Sequence, residues 1–101
     1  METPMVELAV VLPCLNEADN LRSLLPKVGE VLTDLSAPCR VYVIDGGSMD
    51  NTVEVARSLG AVVIPQRGYG YGGAIRTAFE DIHARWLLTM DADFSHHPVF
   101  I

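Results

Sequence analysis

The apolar residues of this chain change rhythm repeatedly, with short unbroken runs alternating with stripes spaced three and four apart. Glu7-Leu-Ala-Val-Val-Leu-Pro13 is nearly continuous and ends in a proline. That pattern suits a strand buried on both faces, as in a parallel sheet. Arg40–Asp45, Ala61–Pro65 and Trp86–Asp91 repeat it. Between the first two runs, Leu21, Leu24, Leu25, Val28, Leu32 and Leu35 share one helical face. Pro26 interrupts that stripe and cannot donate to a carbonyl one turn back, which predicts a kink or two helical pieces meeting there. Asp50 is placed to cap a helix from Asn51 to Leu59, and Gly60 suits its left-handed end. Gln66 to Gly73 holds four glycines and reads as a loop. Ile75, Ala78, Phe79 and Ile82 then form a last helical stripe. The order β-α-β-α-β-loop-α-β implies a parallel sheet with right-handed crossovers, sandwiched between helices.

Composition narrows the class. The chain has 101 residues, half hydrophobic and a fifth charged, which allows one small globular domain or part of a larger one. A formal net charge of −6 argues against nucleic acid as a partner. An anionic substrate would need a cation or helix N-termini to offset that charge. The longest apolar stretch, Leu8 to Leu15, is eight residues with Pro13 inside it. A membrane span needs roughly twenty. Met1-Glu2-Thr3-Pro4 shows neither the basic nor the apolar part of a secretory signal. Cys14 and Cys39 are 25 apart without metal-type spacing, and read as reduced small hydrophobes of a cytosolic protein.

The unusual polar residues collect at the carboxyl ends of the expected strands, where α/β sheets bind ligands. Asn16 and Glu17 follow the first strand, Asp45 ends the second, the glycine-rich segment follows the third, and Asp91-Ala-Asp93 ends the fourth. If the chain stays extended there, Asp91 and Asp93 point to the same face. Two such carboxylates repel unless a proton or cation lies between them, and oxygen ligands on an open strand end suit Mg²⁺ or Mn²⁺. Aspartates are also common in turns. Of the adjacent pair His96-His97, at most one would face the aspartates. Gly68, Gly70, Gly72 and Gly73 allow a ligand close to the backbone ahead of a helix N-terminus, and Arg67 and Arg76 add phosphate-type donors. The Gly-Lys-Ser/Thr ending of a P-loop is missing, and no glycine follows the first strand where a dinucleotide fingerprint would place it. Ser48, Ser95 and Cys14 lack the context of a nucleophile.

Val11-Leu-Pro13-Cys-Leu-Asn16-Glu17, Val43-Ile-Asp45-Gly-Gly-Ser48-Met-Asp50-Asn-Thr52, Gly68-Tyr-Gly70-Tyr-Gly-Gly73-Ala-Ile-Arg76 and Met90-Asp91-Ala-Asp93-Phe-Ser-His-His-Pro98 together resemble the family 2 glycosyltransferases of GT-A fold. In style they are similar to the polyprenyl (dolichyl) phosphate mannosyl- and glucosyltransferases. The resemblance runs over about residues 6 to 98. It implies a Rossmann-like parallel sheet sandwiched by helices, and transfer of a sugar from a nucleotide-sugar donor. It places Pro13, Asn16 and Glu17 by the base and ribose, and Asp45 beside the base. Asp91 and Asp93 match the D-x-D motif that holds the divalent metal and donor diphosphate, with Ser95 as a further metal contact. Arg67, Gly70 and Arg76 are implied as donor-side contacts, with the two arginines on donor or acceptor phosphate. Where the family commonly has Asp-Asp-Gly-Ser, this chain has Asp45-Gly46-Gly47-Ser48, so the choice between GDP-mannose and UDP-glucose types stays open.

The family's acceptor-side residues lie downstream of residue 101, so residues 1–101 are expected to be the N-terminal, nucleotide-sugar-binding half of the domain, cut after the D-x-D motif. The expected partners are a nucleotide-sugar and a polyprenyl phosphate or other acceptor, in the cytoplasm or at its membrane face, with any membrane association arising through the acceptor or C-terminal regions. Two other readings compete. One is a non-catalytic nucleotide-sugar-binding fragment. The other is a sugar nucleotidyltransferase, which would want a basic, glycine-rich loop after the first strand in place of Pro13-Cys-Leu-Asn-Glu17.

Overall fold

The computed structural model describes residues 6–35 and 37–92. Its elements are β1 (Val6–Cys14), α1 (Ala18–Thr33), β2 (Cys39–Asp45), α2 (Thr52–Ser58), β3 (Val62–Pro65), α3 (Gly70–Asp81) and β4 (Ala84–Thr89). All strand pairs are parallel, and the spatial order is β3-β2-β1-β4. The expected alternation is the one observed. The chain steps outward from β1 through β2 to β3, and α3 then carries it back to the far side of β1. The order therefore reverses between β1 and β4.

β1 is unbroken and apolar because it is the centre of two cores. Ala9, Val10, Val11 and Leu12 are all fully buried. Val10 and Leu12, with Val43, pack against Leu21, Leu24, Leu25 and Val28 of α1 and Val55 and Ala56 of α2. Ala9 and Val11, with Tyr42 and Ile44, meet Ala74 and Ala78 of α3 and Ile82 beyond it. Alternation sends successive residues to opposite faces, so a slip of one residue would exchange the two cores, and register is firmly set. Truncating Leu24 to Ala would cost about 2–5 kcal/mol.

Four local expectations need correction. Of the two outcomes expected at Pro26, a kink or a junction of two helical pieces, the junction is not formed, because Pro26 lies inside one continuous helix. It is on the exposed side, where one lost hydrogen bond does not interrupt the buried stripe. Leu35 falls past the end of α1 and is exposed. The glycine-rich loop is shorter than read, since α3 already begins at Gly70. Phe79, placed on the buried stripe by its spacing, is 68% exposed. Small residues, Gly73, Ala74, Thr77 and Ala78, face the sheet instead. They let α3 sit close, and this displaces its bulkier residues toward the groove beside Leu87.

Candidate functional site

Sheet register assembles the site before any side chain is considered. Cys14, Asp45 and Pro65 lie in one row across β1, β2 and β3. Hydrogen bonding continues past the strands, from Gly46 N to Cys14 O at 2.8 Å and from Gln66 N to Asp45 O at 2.8 Å. On the other side of β1, Met90 N donates to Val11 O at 3.0 Å, which brings Asp91 to the same edge. This edge lies at the reversal of strand order, where open α/β sheets form ligand crevices. A cleft of about 330 Å³ opens there, and its lining includes Pro13, Glu17, Gln66, Gly70, Tyr71 and Asp91.

Pro13, Glu17, Gly70 and Asp91 are thus brought together as the sequence suggested. Glu17 precedes α1 and accepts a 2.6 Å hydrogen bond from Asn20 Nδ2. Asp91 is half-buried, between Met90 and Ala92, which are both buried. β4 ends at Thr89, and Ala92 lies in a turn. Asp93, Ser95, His96, His97 and Pro98 lie outside the described residues. Among the described residues, no three His, Cys, Asp or Glu side chains form a group able to hold a metal ion.

Asn16, Asp45, Arg67 and Arg76 are not among the residues lining this cleft. Asp45 serves its own turn, its carboxylate accepting from Gly47 N and Ser48 N at 3.3 Å. Asn16 adopts a left-handed backbone, φ 55°, and bonds to the loop after β2. Arg67 runs along α3 away from the cleft. Its guanidinium donates to Asp81 at 2.8 and 2.9 Å and to Glu80 at 2.7 Å. The pairing raises the Arg67 pKa, with Asp81 the larger cause and Glu80 the next. It holds the Asp81 carboxyl below the usual range. Arg76 is exposed on α3.

Several contributors were not singled out in the sequence. Gln66 and Tyr71 line the cleft. The signal for Gln66 was its position directly after β3, and for Tyr71 its place among the glycines. Gln66 Nε2 donates to Gly70 O at 3.0 Å and so ties the loop to the start of α3. Gly73 is required by space, because a Cβ there would lie 2.8 Å from Gly68 C and 3.0 Å from Arg67 O. Burial, and next the Glu17 and Asp45 carboxylates, push the Cys14 thiol up to about 12, so it forms a neutral part of the wall at ordinary pH. A larger groove of about 490 Å³ opens at the opposite end of the sheet, around Leu25, Leu32, Leu59 and Arg40. Among the described residues its lining contains no carboxylate.

With the strand-end cleft in place, the comparisons agree on one class. The glycosyl transferase family 2 model matches residues 9–101, and the chain belongs to that family. It is similar to glycosyltransferase AglJ of Haloferax volcanii, at 38% identity over 92% of this chain and 29% of that protein. It is also similar to undecaprenyl-phosphate 4-deoxy-4-formamido-L-arabinose transferase of Aeromonas hydrophila, at 35% identity over 89% of this chain and 30% of that one. The chain therefore spans less than a third of the length of these curated relatives. Among solved structures it is similar to glucosyl-3-phosphoglycerate synthase from Mycobacterium tuberculosis in complex with Mn²⁺, UDP-glucose and phosphoglyceric acid. That likeness has a TM-score of 0.75 and 26% identity, over 94% of this chain and 36% of the other. The sheet order and helix placement are those of a GT-A-type α/β domain. No helix among the described residues is long and apolar enough to cross a membrane.

Proposed function

We propose that the strand-end cleft binds a nucleotide-sugar, of GDP-mannose or UDP-glucose type, and that this chain forms the donor-binding part of a glycosyltransferase acting on a polyprenyl phosphate or similar acceptor. The observation that carries this reading is the meeting of Glu17 and Asp91 with the N-terminus of α3 across the reversal point between β1 and β4. A helix N-terminus favours anions, and Gly70 leaves the backbone open to them. Acceptor class is suggested by the name of the Aeromonas relative, and metal use by the Mn²⁺ of the mycobacterial structure.

On this reading Pro13 and Glu17 border the base and ribose, and Gly70 and Asp91 border the diphosphate. The Asp91 carboxylate is a hard oxygen donor on the cleft wall and so fits Mg²⁺ or Mn²⁺, and Asp93 and Ser95 are proposed as its companions. When bound, such a cation neutralises charge on the diphosphate leaving group. The chain's own residues hold the donor in the cleft, and the first-turn N–H groups of α3 stabilise negative charge growing on the departing diphosphate. A phosphate acceptor is already anionic and needs little help from a base. The asparagine and arginine contacts implied by resemblance enter differently: Asn16 and Arg67 position loops, and Arg76 is left as an exposed cation midway along α3.

Calorimetric titration with UDP-glucose and GDP-mannose, in Mn²⁺ or in EDTA, tests the proposal. One donor is expected to bind, with affinity falling about tenfold or more on chelation or in Asp91→Ala. Binding indifferent to both changes would remove the metal-bridged diphosphate. Formation of glycosyl-lipid from a polyprenyl phosphate tests the acceptor, whereas pyrophosphate release from a nucleoside triphosphate and sugar phosphate would favour a nucleotidyltransferase.

A further inference from the structure

Behind the β1 side of the cleft, two loops far apart in sequence are tied together by side chains. Asn16 Oδ1 accepts from Met49 N at 2.8 Å and Asp50 N at 3.3 Å. Asn16 N donates to Ser48 Oγ at 2.9 Å. Thr52 Oγ1 accepts from Glu17 N at 2.9 Å and donates to Asp50 Oδ1. Asp50 Oδ2 accepts from Ala18 N at 3.5 Å. Every bond between the two loops spans 32 to 35 positions. Thr52 is fully buried, and Asn16 holds a left-handed backbone that asparagine tolerates better than most residues. None of Asn16, Ser48, Asp50 or Thr52 lines the cleft, yet Leu15, Glu17 and Gly46, on the two loops they join, do.

We propose that Asn16, Ser48, Asp50 and Thr52 form a latch that positions Glu17 and Gly46 for the donor, and that Asn16 is a positioning residue with no contact to the donor. This rests on the nucleotide-sugar reading of the cleft for its effect on binding, but the latch itself is defined by the protein alone. The side chain of Asn16 receives two backbone donors of the opposite loop while its own N–H reaches a hydroxyl there. The bonds on the two sides of residue 16 fix where the chain enters α1. Glu17 N is then fixed by a threonine that cannot reach the cleft, so the carboxylate of Glu17 is carried by a backbone held from behind.

The test separates positioning from contact. In the wild-type chain the hydrogen-bonded amides of Glu17 and Met49 are expected to exchange slowly with solvent, although both lie outside helices and strands. Asn16→Ala and Thr52→Val each speed exchange in both loops, 15–18 and 46–52, while β1 amides stay protected. Each weakens binding of the donor identified by titration by about tenfold, and the double variant loses no more than about threefold beyond either single one. Asn16→Gly keeps the backbone freedom but not the Oδ1 acceptor, and behaves like Asn16→Ala. If Thr52→Val folds poorly, Ser48→Ala replaces it, since it removes the acceptor of Asn16 N from a less buried position. Unchanged loop exchange in Asn16→Ala overturns the latch. Weakened binding in Asn16→Ala with normal binding in Thr52→Val and Ser48→Ala overturns positioning in favour of direct contact. If the wild-type chain binds no nucleotide-sugar, the donor reading fails, and the exchange experiment still decides whether the latch exists.

Discussion

The two sides of the cleft each lean on a buried threonine, and the two threonines do opposite kinds of work. Thr52, on the β1 side, accepts from Glu17 N, 35 positions away. Thr77, on the glycine-rich side, accepts from Arg67 N at 2.9 Å and donates to Gly73 O at 2.8 Å, all within ten positions. Both are fully buried. One side is closed between distant segments and exists only once β1 and β2 have paired. The other is closed within its own loop and helix, through a tight glycine contact. The β1 side therefore inherits its order from the sheet, and the glycine-rich side from local packing.

The largest expected effect breaks the local side. Gly73→Ala forces a methyl against the backbone of residues 67 and 68 and should destabilise the fold by about 1–3 kcal/mol. Thermal unfolding would show it, at roughly 4–8 °C per kcal/mol for a domain of this size. Gly72→Ala, one residue earlier in the same helix with open space around it, should be neutral or stabilising by up to about 1 kcal/mol. Equal losses at both positions would refute the tight contact.

Next come the threonines. Thr52→Val and Thr77→Val should each cost about 1–2 kcal/mol, because each leaves a part-buried N–H without its acceptor. Stability alone will not separate them, but amide exchange should. Loss of Thr52 is expected to loosen residues near 17 and 50 together, and loss of Thr77 only the segment from 66 to 73.

A smaller effect follows from acid. The Thr52 hydroxyl, with further backbone donors, holds the Asp50 carboxyl below its ordinary value near 3.8, and Arg67 does the same for Asp81. A depressed carboxyl contributes stability fully present above its unfolded pKa and lost as pH falls through the folded one. Both contributions should thus persist down to about pH 4 and fade below it. Asp50→Asn and Asp81→Asn should each flatten the acid limb of a stability profile. The smallest effect is expected from Arg67→Ala. Its ion pairs are about half exposed, so thermal stability should shift no more than for an ordinary surface change, and donor affinity should hold. Loss of donor binding in that variant would restore Arg67 as a phosphate contact.

Much of this was legible in sequence. The element order could be read because burial on both faces leaves unbroken runs such as Leu8–Leu12, while one-sided helices leave stripes such as Leu21 to Val28. The meeting of Glu17 and Asp91 followed from their positions at strand ends. The ion pairs of Arg67 were not legible: an arginine beside glycines suggests phosphate, while Glu80 and Asp81 come within reach only once the loop folds back along α3. The loop contacts of Asn16 were hidden for a similar reason. Its partners at 48–50 are neighbours only through the pairing of β1 with β2, which local spacing does not express. Phe79 had the right spacing but the wrong size for a helix packed closely through Gly73, Ala74 and Ala78.

The most direct test of the central claim is to map, by backbone amide chemical shifts, where UDP-glucose or GDP-mannose binds in the presence of Mg²⁺. Shifts concentrated at Glu17, Gly46, Gln66, Gly70 and Asp91 are the predicted result. Shifts at Gly29, Leu59 and Gly60, around the larger groove at the far end of the sheet, would contradict it.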